Sequence, residues 1–146
     1  MRIEFEVDGK PPRKNGATSM WGKDDEIARL VSLRRKALEA MEKEGISDCF
    51  RSFVKLELTL FLPRSDLERG DLDNFITGIC DGLQAVNSNP RTKIHHEFLK
   101  PENEGIHPSR ALLLENDSKI ISINARKVLR DNRELSYKIV IESVDL

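Results

Sequence analysis

The sequence predicts an α+β domain: one small mixed sheet of about four strands packed with two helices, in the order strand, helix, strand, helix, insertion, strand, strand. Three observations predict it. Val54, Leu56, Leu58, Leu60 and Leu62 alternate with Lys55, Glu57, Thr59 and Phe61, the two-residue period of a strand. Two stretches, beginning near Asp24 and Leu72, instead space their apolar residues by three and four, the period of a helix with one buried stripe. At 146 residues the chain has the length of a single domain, 1–146, and can bury roughly 70% of its unfolded surface.

In chain order, Ile3, Phe5 and Val7 alternate with Arg2, Glu4 and Glu6 as a short strand that Gly9-Lys10-Pro11-Pro12 ends. A polar loop runs to about Lys23. Asp24 or Asp25 can cap the first helix, whose stripe is Ile27, Leu30, Val31, Leu38 and Met41, interrupted by Arg34 and ending near Gly45. The Val54–Leu62 strand is stopped by Pro63. Leu72, Phe75, Ile76, Ile79, Leu83 and Val86 mark the second helix. From about 88 to 113, Pro90, Pro101, Gly105 and Pro108 break any period, and an irregular insertion is expected. Ile121, Ile123 and Ala125, then Tyr137, Ile139 and Ile141, read as two last strands joined in a hairpin across Asp131-Asn132.

Composition excludes several classes. Apolar residues make up 38% and charged residues 34%, and no apolar run approaches the ~18 residues of a membrane helix. The N-terminus alternates apolar and charged residues instead of building the apolar block of a signal peptide, so a cytoplasmic address and no membrane partner are expected. Cys49 and Cys80 show no C-x-x-C spacing and suit reduced structural thiols. Net charge is −1, yet Lys10–Lys36 carries eight Lys or Arg against three acids, and Lys119–Lys138 carries six against two. Two basic segments thus flank an acidic centre, a pattern able to hold phosphates beside a metal, although charged surface alone also explains it.

That centre is Asp71-Leu72-Asp73-Asn74, at a strand-to-helix corner, with Asp117 directly before a later strand. Inside a regular helix Asp71 and Asp73 would point about 200° apart, but with Asp71 as N-cap and Asp73 in the first turn the bend can aim both at one point. Three converging acids bind a divalent cation; the competing reading is helix capping, the commonest use of Asp at such a position. His95-His96 and His107 lack a cysteine partner and read as surface residues, and Trp21 suits either a stacked base or the core. No P-loop, dinucleotide fingerprint or Ser/His/Asp spacing is present.

Gly9-Lys10-Pro11 after a first strand, Val54–Leu60 leading into Gly70-Asp71-Leu72-Asp73-Asn74-Phe75, Ile79-Cys80-Asp81-Gly82-Leu83 and Asn116-Asp117-Ser118-Lys119-Ile120 together resemble the RusA-type Holliday junction resolvases, in order over about residues 3–128. The resemblance implies a small α+β homodimer that cleaves four-way or branched DNA by paired nicks with Mg2+, for which Mn2+ can substitute. It places the metal-binding, catalytic acids on Asp71, Asp73 and Asp117; Asn74 and Asp81 also match. It places Lys10, Arg13 and Lys14 on a DNA-facing loop, and Arg69 joins them as a DNA-binding candidate. The family's lysine four residues after the second acid is Thr77 here, and a second acid before the third ligand is Asn116. Lys119, two residues after Asp117 and so on the same face of a strand, is the expected catalytic replacement, with Lys93 next. The alternatives are a catalytically weak member that binds branched DNA, and a metal-free α+β interaction module.

Overall fold

The computed structural model describes residues 1–14, 20–86, 93–131 and 134–146. It is an α+β domain with a four-stranded mixed sheet: β1 (Arg2–Asp8), β2 (Phe53–Leu62), β3 (Ile120–Leu129) and β4 (Ser136–Val144), with α1 (Asp24–Lys43) and α2 (Leu72–Leu83) between the strands. The strand order is β1-β4-β2-β3. β4 pairs antiparallel with both β1 and β2, whereas β3 runs parallel to β2. The expected hairpin between the last two strands is therefore corrected: β2 lies between them. Two parallel strands need a long crossover, and α2 with the segment after it supplies one, carrying the chain to the free side of β2. Arg130 N–H then donates to Leu62 O at 2.8 Å where the chain turns back across the end of β2.

Alternation decides which face is buried. Ile3, Phe5 and Val7, then Val54 to Leu62 in steps of two, then Tyr137, Ile139 and Ile141, form one apolar layer against the helices. Each such Leu or Ile contributes about 1.5–3 kcal/mol by leaving water. α1 presents Ile27, Leu30, Leu33, Ala37 and Met41, and α2 presents Phe75, Ile79 and Leu83. Asp24, Asp25 and Glu26 occupy the first turn of α1, favourable to its dipole, but the N-cap is Lys23, without a side-chain capping bond. Trp21 is core: with Met20, Ile27, Leu30 and Phe98 it forms a second apolar cluster, its ring 5.7 Å from that of Phe98. Cys49 and Cys80 are both buried free thiols.

Arg34, which interrupts the apolar stripe of α1, is fully buried at 0% exposure. It donates to five main-chain carbonyls, those of Gly82 and Gln84 at the C-terminal end of α2 and of Ile106, His107 and Arg110. Burial pulls its guanidinium down to about 9, still charged at neutral pH, and its ring neighbour is Trp21 at 5.3 Å. The described part of the expected insertion is thereby fastened to α2. It forms 3-10 turns at His96–Leu99 and Pro101–Ile106 and buries Phe98, Asn103, Ile106, Leu112 and Leu113. Residues 88–92 of that segment, and Asn132 of the last turn, lie outside the described residues. His95 caps the first of these turns, its Nδ1 accepting from Glu97 N–H and its Nε2 lying 2.8 Å from Asp24 Oδ1.

Candidate functional site

The loop ahead of α2 is built to present its acids. Gly70 adopts φ +77°, and a Cβ there would stand 2.7 Å from the Phe75 ring, so both backbone and space require glycine. Lys127 of β3 reaches across to clamp the same loop, its Nζ donating to Leu67 O at 2.7 Å and Gly70 O at 3.0 Å. Asp71 is the N-cap residue in extended conformation and makes no side-chain capping bond. Asp71, Asp73 and Thr77 are exposed, and Thr77 Oγ1 is occupied by Asp73 O at 2.9 Å.

One face of α2 is overlaid by the N-terminal loop. Lys14 N–H donates to Asn74 O at 3.3 Å, and Arg13 N–H donates to Glu26 Oε2 at 2.9 Å. The approach is so close at Gly78 that a Cβ would run into the Pro12 carbonyl. With its backbone fixed beside Asn74, Lys14 reaches toward the last turn of α2, where its Nζ meets Asp81 Oδ2 at 2.9 Å. Bonding to Asp81 and the nearby Asp117 carboxylate hold the Lys14 ammonium above its ordinary value.

Asp117 opens the 3-10 turn Asp117–Lys119 just before β3, with Asn116 as its cap. Its Oδ1 accepts from Gln84 Nε2, whose other bond is to Cys80 O at 2.9 Å. The Cys80 thiol is pushed up to about 12, first by burial and then by Asp117 and Asp81. Asp81, Asp117, Gln84 and Lys14 thus form one polar cluster on the last turn of α2.

The topology explains which acids meet. β2 and β3 run the same way, so Asp117, immediately before β3, stands at the Phe53 end of the sheet, while Asp71 follows the Leu62 end of β2. α2 runs back between these ends, and eight residues from Asp73 to Asp81 amount to about 12 Å of helix. Asp117 accordingly joins Asp81, with Asp71 and Asp73 at the other end of α2. Among the described residues no group of three or more His, Cys, Asp or Glu side chains is close enough to hold one metal ion.

Lys119 is placed differently from its sequence expectation. Asp117 to Lys119 is a turn, so the strand rule that would set both on one side does not apply, and the Lys119 ammonium lies 5.3 Å above the ring of Phe53. The cation delivered to Asp117 and Asp81 is Lys14. Lys93, the other candidate, packs its main-chain carbonyl against Gly22.

Three of the four basic candidates converge near the beginning of α2, Lys14 reaching Asp81 at its other end instead. Lys10, Arg13 and Arg69 line one cavity of about 110 Å³, together with Arg29, Gly70 and Phe75. Arg29 belongs to α1 and carried no individual signal in the sequence beyond its place in a basic segment. Lys127 and Gln84 were also illegible as site residues, because a loop clamp and a carboxylate donor have no local pattern.

Compared with known proteins, the chain matches no family model and no curated sequence.

Proposed function

We propose that this chain is a magnesium-dependent, structure-specific DNA endonuclease of the cytoplasm that cuts four-way or branched DNA by phosphodiester hydrolysis, as a homodimer. The carrying observation is that one helix, α2, has exposed or half-exposed carboxylates along it and a cavity of four cations at its beginning. Phosphate-holding cations beside metal-holding acids are what nuclease chemistry needs. The ordered resemblance to RusA-type resolvases supports the same reading, and so does the two-fold symmetry that a C2 dimer shares with a four-way junction.

The residues fit magnesium without a cage of three acids. This ion keeps several waters and commonly takes one or two carboxylates together with substrate phosphates, so Asp81 and Asp117 suffice, and Asp71 with Asp73 form a second candidate pair. Bound magnesium would polarise a phosphate and acidify a bound water. On the protein's side, Gln84 orients Asp117, Lys14 balances Asp81 and stands ready to neutralise a phosphate oxygen, and Lys10, Arg13 and Arg69 hold the neighbouring backbone. No helix among the described residues is long and apolar enough to cross a membrane.

A four-way junction and a matched linear duplex, incubated with the protein in magnesium, manganese or EDTA, test the proposal. Paired nicks in the junction alone, abolished by EDTA, are expected. Asp81→Asn and Asp117→Asn should each lower the rate about 100-fold or more, by analogy with loss of one transition-state group, while leaving junction binding intact. If Asp71→Asn and Asp73→Asn abolish cutting and Asp81→Asn does not, the metal sits at the first turn. No metal-dependent nicking by parent protein refutes the nuclease. A branched-DNA-binding protein that cuts poorly is then the better reading, favoured by Thr77, whose hydroxyl is tied to Asp73 O where the resolvases that the sequence resembles have lysine.

A further inference from the structure

The cavity at the beginning of α2 has more positive charge than the fold neutralises. Lys10, Arg13, Arg29 and Arg69 all line it. Glu26, itself buried, takes Arg29 Nη1 at 3.1 Å and Arg13 main-chain N–H, leaving the Arg13 guanidinium aside. Asp66 takes Arg69 Nη1 at 3.5 Å. Even with Asp71, next in sequence to Gly70, four cations face three carboxylates.

Arg13 supplies the second observation. Its Nε is buried and has no hydrogen-bond partner. A guanidinium N–H removed from water without an acceptor costs free energy, more than a neutral donor would. The loop that carries Arg13 is pinned at both neighbours, by Pro12 against Gly78 and by Lys14 N–H on Asn74 O. The orphan donor is therefore held in place.

Size and charge select the ligand. About 110 Å³ is well below the ~300–1,000 Å³ of pockets that enclose whole small molecules, so the cavity admits one group and excludes a nucleoside. Guanidinium forks match oxyanions bidentately, and cations arriving from three chain segments suit a tetrahedral group with several oxygens better than a planar carboxylate. The cavity borders the beginning of α2, with Gly70 and Phe75 in its lining.

We propose that Lys10, Arg13, Arg29 and Arg69 form a binding pocket for a single phosphoryl group, with the phosphodiester of a DNA strand as its source. This deepens the DNA-binding part of the nuclease proposal and rests on it only for that source.

The test uses the full chain in EDTA, where cutting plays no part. Inorganic phosphate is titrated against chloride at matched ionic strength, while the arginine Nε–H resonances and the melting temperature are followed. Saturable movement of the Arg13 resonance and a rise in melting temperature are expected. The resonance movement should vanish in Arg69→Glu, whose side chain is 72% exposed, and the rise in melting temperature should vanish both there and in Arg13→Met, which keeps the main-chain bond to Glu26. Four-way junction DNA should displace the phosphate, and Arg13→Met should reduce the salt slope of junction binding by about 1. Phosphate binding that junction DNA fails to displace overturns the DNA source and leaves a pocket for free phosphate. An Arg13 resonance unmoved by either probe overturns the pocket. Phosphate binding without magnesium-dependent nicking would leave the pocket standing and remove the nuclease.

Discussion

Replacing Arg34 with Met keeps an apolar stem of similar reach in the core but removes all five side-chain bonds by which Arg34 joins the 106–110 segment to the end of α2. Of the five bonds, those to Ile106 O and Gly82 O are fully buried, so at least two carbonyls are stranded away from water. At about 1–3 kcal/mol for each stranded group, the loss is about 2–6 kcal/mol, a large part of the ~5–15 kcal/mol that holds a typical domain folded. For a chain of this length that corresponds to a melting temperature lower by roughly 5–20 °C. Urea unfolding followed by tryptophan fluorescence measures it well, because the chain has one tryptophan and Trp21 lies 5.3 Å from the Arg34 guanidinium. Hydrogen exchange should speed up at Val86 N–H and Leu112 N–H, which bond to Pro108 O and Leu83 O across the same junction. Arg34→Lys, with three donors in place of five, should fall between parent and Met. A Met variant that unfolds at the parent's urea midpoint would refute the argument that this residue fastens the segment.

Gly78→Ala forces the Pro12 carbonyl away from α2, and a loss of about 1–3 kcal/mol is expected in urea unfolding; a stability equal to the parent's would contradict the close approach. Asp81→Asn should lower the titration of the Lys14 ammonium, followed by NMR, since bonding to Asp81 is the main cause that raises it. Because the folded pKa lies above the unfolded one, that contact contributes at neutral pH and fades only as pH climbs past 10.5 through the folded value. If Lys14 serves the reacting phosphate, Lys14→Ala should slow junction cutting about 100-fold with Lys119→Ala near parent, and the reverse ranking would restore Lys119.

Periodicity made most elements legible, because burial imposes it. Val54 to Leu62 alternates with one face against the helices, and β1 occupies the residues its alternation marks. Connections were less legible. Nothing local in Ile120–Leu129 says that its partner is β2 in parallel rather than β4 in a hairpin, since pairing is settled by where α2 delivers the chain. The same fact governs the site: Asp117 was readable as a polar residue before a strand, but its meeting with Asp81 follows from strand direction. Arg34 looked like a flaw in an apolar stripe because its partners are carbonyls far along the chain, and carbonyls leave no mark in a sequence. The segment from His95 to Leu114 lacks a period because isolated apolar anchors in 3-10 turns hold it down.

The parallel crossover also turns α2 into a ruler. Its first turn borders the cationic cavity and its last turn carries Asp81 beside Asp117, eight or nine residues further on, or about 12–13 Å. Successive phosphates on one strand of duplex DNA advance about 3.4 Å along the axis. Under the nuclease proposal, a strand gripped at the cavity, with the duplex axis along α2, would present to Asp81 and Asp117 a bond some four nucleotides away. The length of one helix would then fix how far from its point of grip the protein acts, whatever the sequence of the DNA.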